Sequence, residues 1–220
     1  MQPGAKRAIL PPVAPKILSQ LDGWAGVLAV ELELAECTVR DKDFSGVQRL
    51  EAEGCKLFGV NFAGAKLAKL QTSDAVLDHI EAAGMRTSGA AGLRMVARNS
   101  RLTGADFGEG LFEDCVFEDV KFDEAGFRFS VFKRVRFVNC VLRNADFSSA
   151  KLSSVYFSGC EFEGANFDNV TCKSVDLRGE ALSAIKGIFG LKDATISSEP
   201  VVQLAPLLAA AAGLDVDYET

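Results

Sequence analysis

Histidine is nearly missing from this chain: His79 is the only one in 220 residues. No Ser nucleophile and orienting acid can be placed around it, so a charge-relay hydrolase is excluded. There is no GxGxxG, no Walker sequence and no HExxH, which removes the common nucleotide and zinc-protease signatures. None of the six cysteines has a CxxC partner, so zinc ligation has no support. No catalytic, cofactor-binding or metal-binding residues are therefore assigned, and the chain is not read as an enzyme. Positive charge is also short, with 24 Lys and Arg against 30 Asp and Glu and a net charge of -6. Direct nucleic-acid binding needs the reverse balance. No apolar run reaches the roughly 18–20 residues that span a bilayer. The stretch from Met1 to Leu21 carries Pro3, Pro11, Pro12 and Pro15 and lacks an apolar h-region, so no signal peptide is read. A cytoplasmic protein with reduced thiols is the expectation.

What the chain has in excess is phenylalanine, 16 residues against one Trp and two Tyr. The rings recur every five residues: Phe107, Phe112, Phe117, Phe122, Phe127, Phe132, Phe137, Leu142, Phe147, Leu152, Phe157, Phe162, Phe167, Cys172 and Leu177. Two residues before each centre the side chain is small or β-branched, as in Ala105, Cys115, Val120, Ala125, Ser130 and Val135. The remaining positions are mostly polar, charged or Gly. Period five belongs neither to a helix nor to a flat strand. It fits a coil in which each unit makes one side and then turns, with the centre and its small partner both pointing inward. Gly, Ser, Asn and Asp between centres suit the turns. Four sides close a square, so every twentieth residue stacks on its own kind: Ala105, Ala125, Ala145 and Ala165 in one column, Phe107, Phe127, Phe147 and Phe167 in the next. Successive coils lie about 4.8 Å apart, and about eight coils give a rod roughly 40 Å long.

The units Ala105-Asp106-Phe107, Ala145-Asp146-Phe147 and Ala165-Asn166-Phe167 resemble the A-(D/N)-(L/F)-x-x consensus of the pentapeptide-repeat family. That resemblance implies an all-β fold, a right-handed quadrilateral β-helix. Members of the family protect DNA gyrase from quinolones by presenting a DNA-like acidic surface, and dimerise through their C-terminal ends. The resemblance therefore implies a protein partner, DNA gyrase among the candidates, and a homodimer.

The phase extends back from Leu102 through Ala97, Gly92, Thr87 and Ala82 to Leu57. Between 80 and 99 the centres are small and their partners Ile80, Met85, Ala90 and Met95 larger, which reads as a weaker coil rather than a loop. Val27/Ala29, Leu32/Leu34, Cys37/Val39 and Lys42/Phe44 give one more coil in another phase, with the break near 46–51. The expected organisation is a Pro-rich arm over 1–26, a solenoid over 27–196 and a helical cap and tail over 197–220. Ser198 is placed to N-cap a helix running to Ala212, with Gly213 ending it and Pro206 kinking it. Val201, Val202, Leu204, Leu207 and Leu208 form its apolar stripe, for a dimer contact or for the open solenoid end, which exposes unpaired strand groups.

Cys55, Cys115, Cys140 and Cys160 occupy inward small positions and Cys172 a centre, as core packing requires. His79 and Asp78 follow the centre Leu77 and fall on the outside of a turn. Glu113, Asp114, Glu118, Asp119, Asp123 and Glu124 load one coil with acid and form the candidate partner-binding surface. Adding twenty pairs Glu113 with Lys133, Asp114 with Arg134 and Asp123 with Arg143, a ladder of inter-coil ion pairs. The function expected is a non-catalytic interaction module, in one form a DNA-mimicking gyrase binder and in the other a scaffolding solenoid unrelated to topoisomerases.

Overall fold

Every fifth residue of the repeat sits in the left-handed backbone region, and that residue is the corner. Glu109, Asp114, Asp119, Glu124, Phe129 and Arg134 have φ of 54 to 59°. An L-residue resists this conformation by about 1–2 kcal/mol. The ladder holds it there, since each corner N–H donates to a carbonyl of the next turn, as Glu109 does to Arg128 at 2.7 Å and Phe129 to Ser148 at 3.1 Å. The computed structural model describes residues 9–26, 29–198 and 201–214. Val27 of the first expected coil lies outside the described residues.

Between corners the chain is extended and pairs only with the turns before and after. Strands Ala90–Arg98, Leu111–Glu118, Val131–Val138, Lys151–Ser158 and Thr171–Asp176 stack in parallel. Phe112 pairs with Phe132, Phe132 with Leu152 and Leu152 with Cys172. These strands cover two sides of the square, bent at a corner such as Asp114. The other two sides are joined by single bridges, Asp106 to Gly126 to Asp146 to Asn166 and Lys121 to Val141 to Glu161. The result is a β-solenoid of about seven turns, one fewer than the repeat count suggests. At the C-terminal end the chain past Leu177 touches the last full turn through isolated bridges such as Asp176 to Thr195.

The phase break has a simple geometry. Arg49 pairs with Lys69, twenty residues on, but Asp43 pairs with Asn61 and Glu31 with Arg49, eighteen on. Two residues are missing from the side between Asp43 and Arg49, and the opening pairing of Asp22 with Cys37 is shorter still, fifteen on.

Inside, the rings form ladders. Phe107, Phe127, Phe147 and Phe167 stack with centroids 4.9 to 5.6 Å apart. Phe117, Phe137 and Phe157 stack at 5.0 to 5.1 Å, and neighbouring ladders meet edge to face. Both geometries suit the ring quadrupole. Polar groups that point inward are satisfied by backbone: Ser130 Oγ donates to the Phe107 carbonyl at 2.9 Å and accepts from the Gly110 N–H at 3.1 Å.

The turn through 80–98 keeps the same register, with Leu77 paired to Ala97, Ala97 to Phe117 and Glu81 bridged to Arg101. Its filling is incomplete. Enlarging Met85 and Met95 does not replace the rings lost at Gly92 and Ala97, and an apolar cavity of about 60 Å³ remains among Leu77, Ala82, Met95, Ala97 and Phe112.

The C-terminal helix runs over Val201–Ala211 with Pro206 inside it. Its end is a Schellman motif: Gly213 has φ 74°, its N–H reaches the Ala210 carbonyl at 3.0 Å, and the Leu214 N–H reaches Ala209 at 2.8 Å. Leu204 is buried within the chain, whereas Leu208 is exposed. The side chains of Val201, Val202 and Leu207 lie outside the described residues, as do Glu199 and Pro200 beside the expected N-cap. A second closing device is Glu180, whose buried carboxylate accepts the Gly159 and Cys160 N–H groups, each at 2.8 Å. It takes the acceptor role that a further turn of backbone would fill.

Candidate interaction surfaces

The outward positions carry whatever this protein does, so the acid-rich coil is the first place to look. Glu113 is held by Lys133 Nζ at 2.8 Å and by Arg134 Nη2 at 2.5 Å. Asp114 is a buried corner, only 4% exposed, and accepts Arg134 Nε and Nη2, both at 2.6 Å. The Arg134 guanidinium beside it holds its carboxyl below the usual carboxylate range, against the opposing effect of burial. Lys133 and then Arg134 act likewise on Glu113. Asp119 accepts Asn139 Nδ2 at 3.2 Å, and Asp123 lies 3.9 Å from Arg143, which also reaches Glu161. Glu118 and Glu124 are exposed. Glu118 sits between Arg98 and Val138 in register. Of the six acids proposed as a partner surface, Glu113, Asp114 and Asp123 thus face cations of the following turn. Asp114 is withdrawn from solvent, because Arg134 and the N-terminal arm cover its carboxylate.

Asp114 belongs instead to a column that the repeat period hid. The corners Asp74, Arg94, Asp114 and Arg134 follow one another at twenty-residue steps, and Arg94 grips Asp74 at 2.7 and 2.5 Å as Arg134 grips Asp114. The N-terminal arm lies along this column. The Val13 N–H donates to Asp114 Oδ1 at 3.0 Å and the Lys16 N–H to Asp74 Oδ1 at 2.7 Å. Those acceptors are two turns apart, about 9.6 Å at the inter-strand spacing. Three residues of proline-rich extended chain span about 9.3 Å. Pro12 and Pro15, which have no N–H, precede the two donors. The signal was present in the sequence as Asp–Arg alternation at corner positions and as Pro-x-x-Pro spacing in the arm, but neither said that the two would meet.

Other chemistry-bearing groups are quiet. His79 is exposed, with Nδ1 2.8 Å from Asp78 Oδ1, and Asp78 also binds Arg98 at 2.9 Å and Asn99 at 3.0 Å. Burial pushes the Cys115 and Cys172 thiols up to about 12, and burial with the adjacent Cys55 does the same for Cys37. The Cys160 sulfur beside Cys140, and then burial, raise the Cys140 thiol well above its usual range. Thiols so protonated are poor nucleophiles and poor metal ligands. Among the described residues no group of three or more His, Cys, Asp or Glu is placed to hold a metal ion. Among them, too, no helix is long and apolar enough to cross a membrane.

Twenty-residue stacking, left-handed corners and a phenylalanine-filled square define a pentapeptide-repeat solenoid. The family model for the pentapeptide repeat region matches residues 110–186, so the chain carries that region. Compared with curated proteins, the chain matches none. Among solved structures, trypsin-treated QnrB1, described as a plasmid-mediated fluoroquinolone resistance protein, is 17% identical; the match covers 84% of this chain and 92% of that one at a TM-score of 0.44. HetL, a pentapeptide repeat protein involved in heterocyst differentiation regulation from the cyanobacterium Nostoc sp. strain PCC 7120, is also 17% identical, covering 74% and 86% at a TM-score of 0.26. Rfr23 from the cyanobacterium Cyanothece 51142 is 10% identical, covering 63% and 86% at 0.22.

Proposed function

We propose that this chain is a non-catalytic protein-interaction solenoid acting in the cytoplasm, in its scaffolding form. One observation carries the reading: the interior is filled by apolar side chains, with Phe122, Phe127, Phe132, Phe137 and Phe147 each at most 1% exposed. No polar cleft opens among them, so recognition falls to the outer faces. Where the acid-rich coil meets the next turn, acid is answered by base, as Glu113 by Lys133 and Asp123 by Arg143. Such pairing suits a charged, specific protein contact more than an imitation of a DNA backbone, which needs acid over successive turns.

The finer reading, a DNA-mimicking binder of DNA gyrase, makes a different prediction from the same surface. A gyrase supercoiling assay with purified protein titrated in, with and without a fluoroquinolone, separates the two. The scaffolding form predicts no inhibition and no relief of drug-induced cleavage. Inhibition or protection that disappears on neutralising Glu118, Asp119 and Glu124 would overturn it in favour of gyrase binding.

A further inference from the structure

Along its full length one side of the square carries charge in a gradient, which crosses from acid to base at the Glu113–Lys133 pair. Its two outward columns follow from strand register. The first runs Glu33, Glu51, Gln71, Ala91, Leu111, Val131, Lys151, Thr171. The second runs Ala35, Glu53, Ser73, Leu93, Glu113, Lys133, Ser153, Lys173. Acid therefore gathers toward the N-terminal end and lysine toward the C-terminal end, while Ala91, Leu93, Leu111 and Val131 occupy the middle beside the internally paired Glu113 and Lys133. Leu111 is 57% exposed, among the most exposed large apolar side chains of the described residues. Glu33 stands directly beside Glu51 in register, a like-charge neighbour that costs stability within one chain. Lys69 offsets it at 2.5 Å from Glu51. Among the described residues Glu33, Glu53, Lys151 and Lys173 join no ion pair.

We propose that this face binds a second copy of the chain, face to face with the solenoid axes antiparallel. A two-fold axis lying across the face between the Ala91 and Leu111 levels sets Glu33, Glu51 and Glu53 of one copy over Lys151 and Lys173 of the other, twice. The same axis sets Leu111 over Ala91 and brings the exposed apolar middle onto itself. The parallel arrangement is excluded by charge, since it lays acid on acid and lysine on lysine. Self-complementarity of this kind is what an isologous dimer requires. The face is narrow, two outward residues per turn over about 34 Å of length. The arm borders it, with exposed Leu18 sharing a cleft with Ala35 and Glu53. The contact is accordingly weak and steered by charge. The proposal does not depend on any heterologous partner, and it differs from an end-to-end contact through the C-terminal helix.

Sedimentation velocity on the full chain over a concentration series tests it. The wild-type protein is expected to pass from monomer to dimer, with the transition moving to higher concentration as salt is added. Glu33→Lys with Glu53→Lys puts lysine at both ends of the face, and Lys151→Glu with Lys173→Glu puts acid at both ends. These side chains are solvent-facing, and a thermal melt of each variant checks that it is folded. Each alone is expected to dimerise at least about tenfold more weakly, while an equimolar mixture of the two regains the dimer. Leu111→Lys is expected to lose it in every combination. A wild-type protein that stays monomeric, reversed variants that dimerise like wild type, or a mixture that stays monomeric would each overturn the proposal. So would a dimer that survives Leu111→Lys and is lost in Leu208→Glu.

Discussion

The turns through 105–167 and the turn through 80–98 share register and left-handed corners, yet differ in what fills them. In the first, phenylalanines stack at 4.9 to 5.6 Å. In the second, Gly92 and Ala97 stand where rings would be and a cavity of about 60 Å³ remains. The ladder passes through both without a break, Gly92 pairing with Phe112 as Phe112 pairs with Phe132. Coil geometry is thus set by corners and backbone hydrogen bonds, while the core sets how firmly each turn is held. The weaker turn also has an external clamp, the Asp74–Arg94 pair that the arm joins through Lys16.

Removing a ring from the dense region should give the largest effect. Phe137 is fully buried between Phe117 and Phe157, and Phe137→Ala is expected to cost about 3–5 kcal/mol in urea unfolding. A variant that melts with wild type would show that ring stacking does not hold the dense turns. The next test applies one substitution to both regions. Ala145 is sealed in its column, so Ala145→Leu should destabilise by about 1–3 kcal/mol. Ala97 faces the cavity, and Ala97→Leu should stabilise by about 0.5–2 kcal/mol. Equal signs at the two sites would erase the distinction.

Acid should sharpen it. Arg94 holds Asp74, and Arg134 holds Asp114, below the usual carboxylate range. Because the folded values are depressed, the stability these pairs contribute is present above the unfolded value of about 4 and is lost as pH falls through the lower folded values. Amide exchange followed from pH 6 downward should show Ala90–Arg98 opening before Val131–Val138, and Asp74→Asn should flatten that response. The smallest effect concerns the corners that both regions share. Phe129 is 55% exposed with φ 59°, so Phe129→Gly relieves backbone strain and loses little packing. A gain of about 1 kcal/mol in a thermal melt is expected.

The five-residue phase, the inward assignment of the phenylalanines that fall on it from Phe107 to Phe167 and the twenty-residue stacking were all legible in the sequence, because a repeat writes each contact many times over. The charge ladder was legible for the same reason: Glu113 and Lys133 are twenty apart and must be neighbours once the coil closes. The cavity was not, since the Met85 and Met95 substitutions balance Gly92 and Ala97 in composition and only packing in three dimensions shows the deficit. Nor was the burial of Asp114, which reads as one more surface acid until its corner turns it toward Arg134 and the arm. The sequence by itself determined the coil, because period and register are local and repeated. Tertiary structure alone decided where the arm runs and which corner carboxylates it covers, because those contacts are made once and leave no period to read.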